Sequence, residues 1–182
     1  LGVQTCALPI LTIEKLMNII KGPDFPTGGI ILNEIGLKKA YITGKGVIKI
    51  RGTYQVEEIN NDKKRIIIKE IPYQVNKSKL IEEISYCVHE KIINGISDLR
   101  DESDRNGIRV VIEINKGFNE ELVINSLYKH TQLEISFGII NLAIVNSTPK
   151  ILSLFDLIEL YISYRLEIIQ KRTEYELNIS KS

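Results

Sequence analysis

The order of periodicities between Arg65 and Phe137 restricts the fold more than any other feature of the sequence. Arg65 to Ile71 reads as a strand closed by Pro72. A helix follows from near Asn76, its N-cap, with Leu80, Ile81, Ile84, Val88 and Ile92 on one side and Gly95 as its stop. Strands at 96–103 and 108–114 come next, joined through Asp104-Arg105-Asn106-Gly107, whose Asn-Gly step is a strong turn signal. A helix from about Asn119 to Lys129 and a strand at 132–137 complete the order β-α-β-β-α-β, the split βαβ arrangement.

Flanking segments extend this unit. Thr12 is placed to cap a short helix with Ile13, Leu16, Met17 and Ile20 on one face, stopped by Gly22-Pro23. The rigid turn from Gly22 to Gly29 leads into Ile30-Ile31-Leu32, which reads as a buried strand, and Asn33 caps a second helix to Tyr41, closed by Gly44. From Gly46 the period becomes two and predicts one half-buried strand to about Ile59, with Asn60-Asn61-Asp62 as the turn into the strand at 65–71. Short strands are expected near 139–145 and 149–151. From Ser153 a helical pattern runs about 30 residues without a breaker, and Leu154, Ile158, Tyr161, Arg165, Ile168, Arg172, Tyr175 and Ile179 follow heptad-like steps. The fold class expected is α+β, a mixed or antiparallel sheet followed by a long C-terminal helix, with divisions at 1–11, 12–152 and 153–182.

Composition narrows the function classes. Hydrophobic residues make up 43% and charged residues 26% of 182, enough apolar material for a core and too balanced for disorder. No apolar run approaches the roughly 20 residues that a bilayer requires. Cys6 and Cys87 form no Cys-x-x-Cys pair and no disulfide framework, and no secretory signal is present, so a cytosolic chain is expected. With net charge +1, any nucleic-acid role must rest on local clustering of cations. The 34 isoleucines, and 17 lysines against 7 arginines, reflect A/T-rich coding and carry no chemistry.

Few residues suggest catalysis. His89-Glu90 begins like a zinc-protease motif, but Ile93 stands where the second histidine would be, and His130 has no partner in view. Gly44-Lys45-Gly46 is followed by Lys49 where a dinucleotide fingerprint needs a third glycine, and no P-loop occurs. Asp98, Asp101, Glu102 and Asp104 could hold a hard cation, but Arg100, Arg105 and Arg109 lie among them, which favours an ion-pair network. None of the eight tyrosines has a base or acid set near it in sequence. Lys38, Lys39, Lys45, Lys49 and Arg51 form a basic stretch without an acid, and Lys45, Lys49 and Arg51 share one strand parity. Such a row could engage phosphates, or could be a lysine-protected edge strand.

Four motifs go further: Gly22-Pro23-Asp24-Phe25-Pro26-Thr27-Gly28-Gly29, Ile71-Pro72-Tyr73-Gln74-Val75-Asn76-Lys77, Gly95 to Asp104, and Leu127-Tyr128-Lys129-His130-Thr131-Gln132-Leu133. With Lys171 to Leu177, they resemble in order and spacing the A-subunit family of bacterial DNA gyrase, over about Thr12 to Ser182. The A-type subunit of topoisomerase IV is the near competitor, and a stand-alone βαββαβ sensing or interaction module is the rival from another class. The resemblance implies the tower domain and the first helix of the coiled coil. It implies a non-catalytic piece of the DNA-binding and cleavage subunit of an ATP-dependent type II topoisomerase, an isomerase that changes supercoiling by double-strand passage.

By the same resemblance, the nucleophilic Arg-Tyr pair and the DNA-bending isoleucine lie upstream, so no catalytic residue is expected here. Lys45, Lys49, Arg51 and Lys77 are the expected DNA contacts. No cofactor is expected on this segment; Mg²⁺ and ATP would belong to the partner B subunit. The implied partners are duplex DNA, the gyrase B subunit, plus a second A subunit in an A2B2 assembly, with no membrane, in a bacterial cytoplasm near the nucleoid. Leu1 to Ile10 depart from the family pattern and resemble adapter read-through, so residues 1–11 are expected to belong to no element of the fold and the gene to be truncated.

Overall fold

The computed structural model of the chain describes residues 12–60 and 63–181. The expected leader at 1–11 lies outside the described residues. Two compact units interleave along the sequence: 22–33 with 48–137, and 12–21 with 34–47 and 138–181.

The first of these units holds the sheet of the β-α-β-β-α-β segment. Strand β1 (Ile30–Ile31) comes first in the chain, and β2 (Lys45–Arg51) continues from the other unit. Strands β3 (Tyr54–Asn60), β4 (Lys63–Ile68), β5 (Ile96–Asp101) and β6 (Val110–Ile114) form an antiparallel sheet in the order β3-β4-β6-β5. Helix α3 (Lys77–His89) begins at the expected cap and α4 (Glu120–His130) near its expected start: Asn76 and Asn119 accept from the backbone N–H of Lys79 and Glu121. Their apolar faces supply Leu80, Ile84 and Cys87, and Val123, Ile124 and Leu127. These pack with Ile66, Ile68, Val110, Ile112 and Ile114 into one core.

The element order is as expected, but the last strand, β7 (Glu134–Ile140), does not return to this sheet. It joins β1 and β2 in a three-stranded sheet of order β1-β2-β7, and β3 takes the flank beside β4. The strand expected from Gly46 to Ile59 is accordingly two strands in two sheets, broken at Gly52-Thr53. A Cβ on Gly52 would collide with the Glu70 carbonyl oxygen, so only glycine lets the chain pass there. Gly52 N–H donates to the Leu133 carbonyl at 2.9 Å, whereas the Thr53 carbonyl accepts from Lys69 N–H at 2.9 Å; the ladder changes partner between them. The expected burial of Ile30-Ile31-Leu32 is also corrected. β1 is two residues long at the edge of its sheet, and Ile30 is 51% exposed.

On the face of the β3-β4-β6-β5 sheet away from the helical core, Ile67 and Val111 are register partners and fully buried. Register sets Arg65, Glu57, Glu113 and Arg100 beside them. Arg65 pairs with Glu57 (2.5 Å), and Arg100 with Asp98 and Glu113 (both 2.7 Å) and Glu102 (3.4 Å). Long charged side chains can cover aliphatic surface with their stems while the heads remain in water.

In the other unit, α1 (Ile13–Ile19) is capped by Thr12 and packs on α2 (Glu34–Thr43), where Leu37, Ala40 and Tyr41 are buried. Burial raises the Tyr41 phenol above its usual range. Hairpin β8 (Leu142–Val145) and β9 (Thr148–Ile151) precede α5 (Leu154–Lys181). Ser153 opens α5 with a reciprocal cap: its hydroxyl accepts from Asp156 N–H at 3.0 Å, and the Asp156 carboxylate accepts from Ser153 N–H at 3.1 Å. The 28-residue helix, about 42 Å long, buries none of its residues.

Candidate nucleic-acid interface

The basic strand keeps the parity expected of it. Along β2, Ile48 and Ile50 are buried, while Lys45, Val47 and Lys49 are exposed and Arg51 is half-buried. Lys45, which opens the strand, has its backbone N–H on the Thr43 hydroxyl at 3.3 Å.

Lys49 and Arg51 are not free cations. Both reach across to Glu134 at the start of β7: Lys49 Nζ lies 2.9 Å from Oε1 and Arg51 Nε lies 2.5 Å from Oε2. The Glu134 side chain is 14% exposed, against 56% for Lys49 and 35% for Arg51. Burial works to raise the Glu134 carboxyl, but hydrogen bonds from Lys49 and Arg51 and their charges outweigh it and hold the group below its usual range. The absence of acids between 38 and 51 therefore does not leave the row unneutralised. The acid lies more than eighty residues further along the chain.

Arg51 is fixed on a second side. Its guanidinium lies 4.4 Å from the centroid of the Tyr128 ring, and the Tyr128 hydroxyl donates to the Gly52 carbonyl at 2.8 Å. Burial lifts the Tyr128 phenol, so this hydroxyl is a donor at neutral pH. Sequence reading singled out Lys49 and Arg51 but missed Glu134 and Tyr128. Tyr128 was visible only as part of a motif, and nothing local to Glu134 marks it.

Lys77, the remaining expected contact, is also paired: its ammonium lies 2.7 Å from Asp101. Hydrogen bonds from Lys77 and from Ser103 bring the Asp101 carboxyl down to about 2. The other acids near it are engaged as well. Glu102 binds Arg109 at 3.0 Å, and Asp104 accepts from Asn106 N–H at 2.8 Å. Asp98, Asp101 and Glu102 are thus ion-paired while Asp104 closes a turn, and no metal-holding cluster occurs among the described residues. His89 Nδ1 lies 3.2 Å from Oε1 of its neighbour Glu90, on an exposed helix end.

The motifs meet around this region. Glu70 receives Gly29 N–H and the Thr53 hydroxyl, both at 2.9 Å, which ties down the Gly22–Gly29 turn. Phe25, Tyr73 and Phe137 form an aromatic trio with centroids 5.2–6.2 Å apart. Thr131 donates to the Leu127 carbonyl at 2.7 Å, and Gln132 is held by Glu83 through N–H (3.0 Å) and Nε2 (2.7 Å).

The site is thus a pair of cations on one strand, braced by a largely buried carboxylate and an aromatic ring. The family model for the A subunits of DNA gyrase and topoisomerase IV matches residues 3–182, and the chain belongs to that family. The match reaches back into the stretch expected to be foreign to it. The chain is 51% identical over 171 residues to the DNA gyrase A subunit of Brachyspira hyodysenteriae, and 51% identical over 169 residues to that of Clostridium acetobutylicum. Each alignment covers 93% of this chain and 20% of the relative. The Rickettsia bellii protein of the same name is 48% identical over 180 residues, 97% of this chain and 20% of the relative. The chain thus spans about a fifth of the length of the curated relatives it matches. Among the described residues, no helix is long and apolar enough to cross a membrane.

Proposed function

We propose that this chain is part of the DNA-binding and cleavage subunit of DNA gyrase, a type II topoisomerase, and serves there as a non-catalytic support for duplex DNA. The identity of about half to proteins named as the A subunit of DNA gyrase, across almost all of the chain, carries this reading and favours gyrase over topoisomerase IV. In this reading the A polypeptide pairs with a second copy and with B subunits in an A2B2 enzyme of the bacterial cytoplasm, associated with the nucleoid. ATP is hydrolysed and Mg²⁺ is held on the B subunits, and the tyrosine that breaks DNA lies outside the described residues. This segment contributes cations.

Lys49 and Arg51 meet backbone phosphates of a duplex arm, with Lys45 and Lys77 as further contacts. Phosphate contacts carry charge but little base information, so binding through them is sequence-tolerant. The test uses the full-length A polypeptide in complex with B. Replacing Lys49 and Arg51 together by Ala lowers affinity for long duplexes alike for different sequences. The log–log salt slope drops by about 1.8, roughly 0.9 for each phosphate no longer neutralised. An unchanged slope on long duplexes returns the row to a lysine-protected edge strand.

A further inference from the structure

The two oxygens of Glu134 are divided between two cations, Oε1 to Lys49 Nζ and Oε2 to Arg51 Nε. Two oxygens of one phosphate diester would present these donors with a similar bite and the same charge. Glu134 also cannot easily leave. Its side chain is largely buried, its carboxyl is held ionised, and Arg51 is kept in place by the Tyr128 ring. Arg51 meets Glu134 through an Nε hydrogen bond, and a guanidinium carries five N–H donors, so the fork retains donors for an incoming anion.

We infer that Glu134 acts as a built-in phosphate mimic that occupies the Lys49–Arg51 pair and lowers its affinity for DNA. This rests on the reading that Lys49 and Arg51 meet phosphates. The site then carries a net charge of one instead of two, and an incoming phosphate meets cations already shared with an internal carboxylate. Such a device weakens the hold on any one duplex and favours release, which a protein that must repeatedly exchange DNA can use.

Glu134→Gln tests it, because the amide oxygen still accepts a hydrogen bond while the charge is gone. In the assembled enzyme, affinity for a long duplex at moderate salt rises about two- to fivefold, the range for loss of a partly exposed ion-pair competitor. Glu134→Asp, which keeps the charge, gives no such gain. The gain disappears when Lys49 and Arg51 are also Ala, which a structural role or a general charge effect does not produce. Thermal unfolding of each variant identifies any that fail to fold.

If the Lys49/Arg51 variant weakens binding but Glu134→Gln leaves it unchanged or weakens it, the inference is overturned and the phosphate reading stands. A gain that persists without Lys49 and Arg51 also overturns it. If neither variant changes binding, the phosphate reading itself fails, and this inference with it.

Discussion

The guanidinium of Arg51 and the ring of Tyr128 lie 4.4 Å apart, centre to centroid, so a residue of β2 is held by the last turns of α4. The same phenol reaches past Arg51 to the Gly52 carbonyl, at the point where the chain leaves one sheet for another. Tyr128→Phe keeps the stacking and loses the hydrogen bond, for about 1 kcal/mol of stability. Tyr128→Leu loses both, adding about 0.5–1 kcal/mol. Urea unfolding of the chain separates the two; equal losses would show that the stacking contributes nothing.

Asp101 supplies a pH dependence of defined sign. Its folded value of about 2 lies below the ordinary 3.8, so its contribution is complete above about pH 4 and is lost as pH falls towards 2. A shift of this size corresponds to at most about 2.5 kcal/mol. Because Lys77 and Asp101 are each about a third exposed, solvent screening reduces the expected effect to under about 1 kcal/mol. Wild type and Asp101→Asn should differ by that amount at pH 6 and converge near pH 2 in denaturant titrations. A difference that persists at pH 2 would point to Asp101's backbone contacts instead.

Burial separates two apolar residues that look alike in sequence. Leu127→Ala, in the centre of the helix–sheet core, costs about 2–5 kcal/mol. Ile30→Ala, on the exposed edge strand, stays within about 0.5 kcal/mol. Chemical denaturation of both variants reads the contrast, and comparable losses would contradict the placement of β1.

Gly29 has φ +101°, and a Cβ there would lie 2.9 Å from the Arg51 carbonyl oxygen. Gly29→Ala is therefore expected to destabilise by about 1–3 kcal/mol. Gly138 has open space around its Cα, so Gly138→Ala is near neutral. Melting temperatures of the two variants check this; an unchanged value for Gly29→Ala would mean that the Gly22–Gly29 turn can shift.

The chain alone is expected to leave supercoiled plasmid intact in the presence of Mg²⁺. The Tyr128 hydroxyl donates a hydrogen bond to a backbone carbonyl, burial moves Tyr41 and Tyr128 away from the phenolate, and no tyrosine hydroxyl among the described residues is bonded to a base. Denaturing gels that showed a protein–DNA adduct would refute this.

Local chemistry was readable in the sequence, and neighbours were not. Thr12, Asn76, Asn119 and Ser153 announce their helices because a cap bonds within its own first turn. Period two identified which side of β2 faces outward, since alternation is intrinsic to a strand. The same alternation does not say which strand lies alongside, so β7 was placed in the wrong sheet and β3's flank position went unseen. Glu134 escaped for the same reason: its partners are set by sheet pairing and not by spacing along the chain. The family motifs were legible as words before their roles were. Gln132 ties the end of α4 to Glu83 of α3, and Thr131 closes α4 on the Leu127 carbonyl, which are architectural bonds.

The interlocked acids and bases over Ile67 and Val111 govern how far this region can be felt. A row of opposite charges a few ångströms apart produces a field that fades much faster than that of a lone cation, and salt extinguishes the remainder beyond about 8 Å. The sheet face therefore cannot draw a polyanion in from solution, and arrival rates at this part of the molecule should be nearly indifferent to its many ionisable groups. Whatever attraction it has operates at touching distance. A substitution that removes one partner of a pair should then unmask the charge of the other and restore a longer-ranged field.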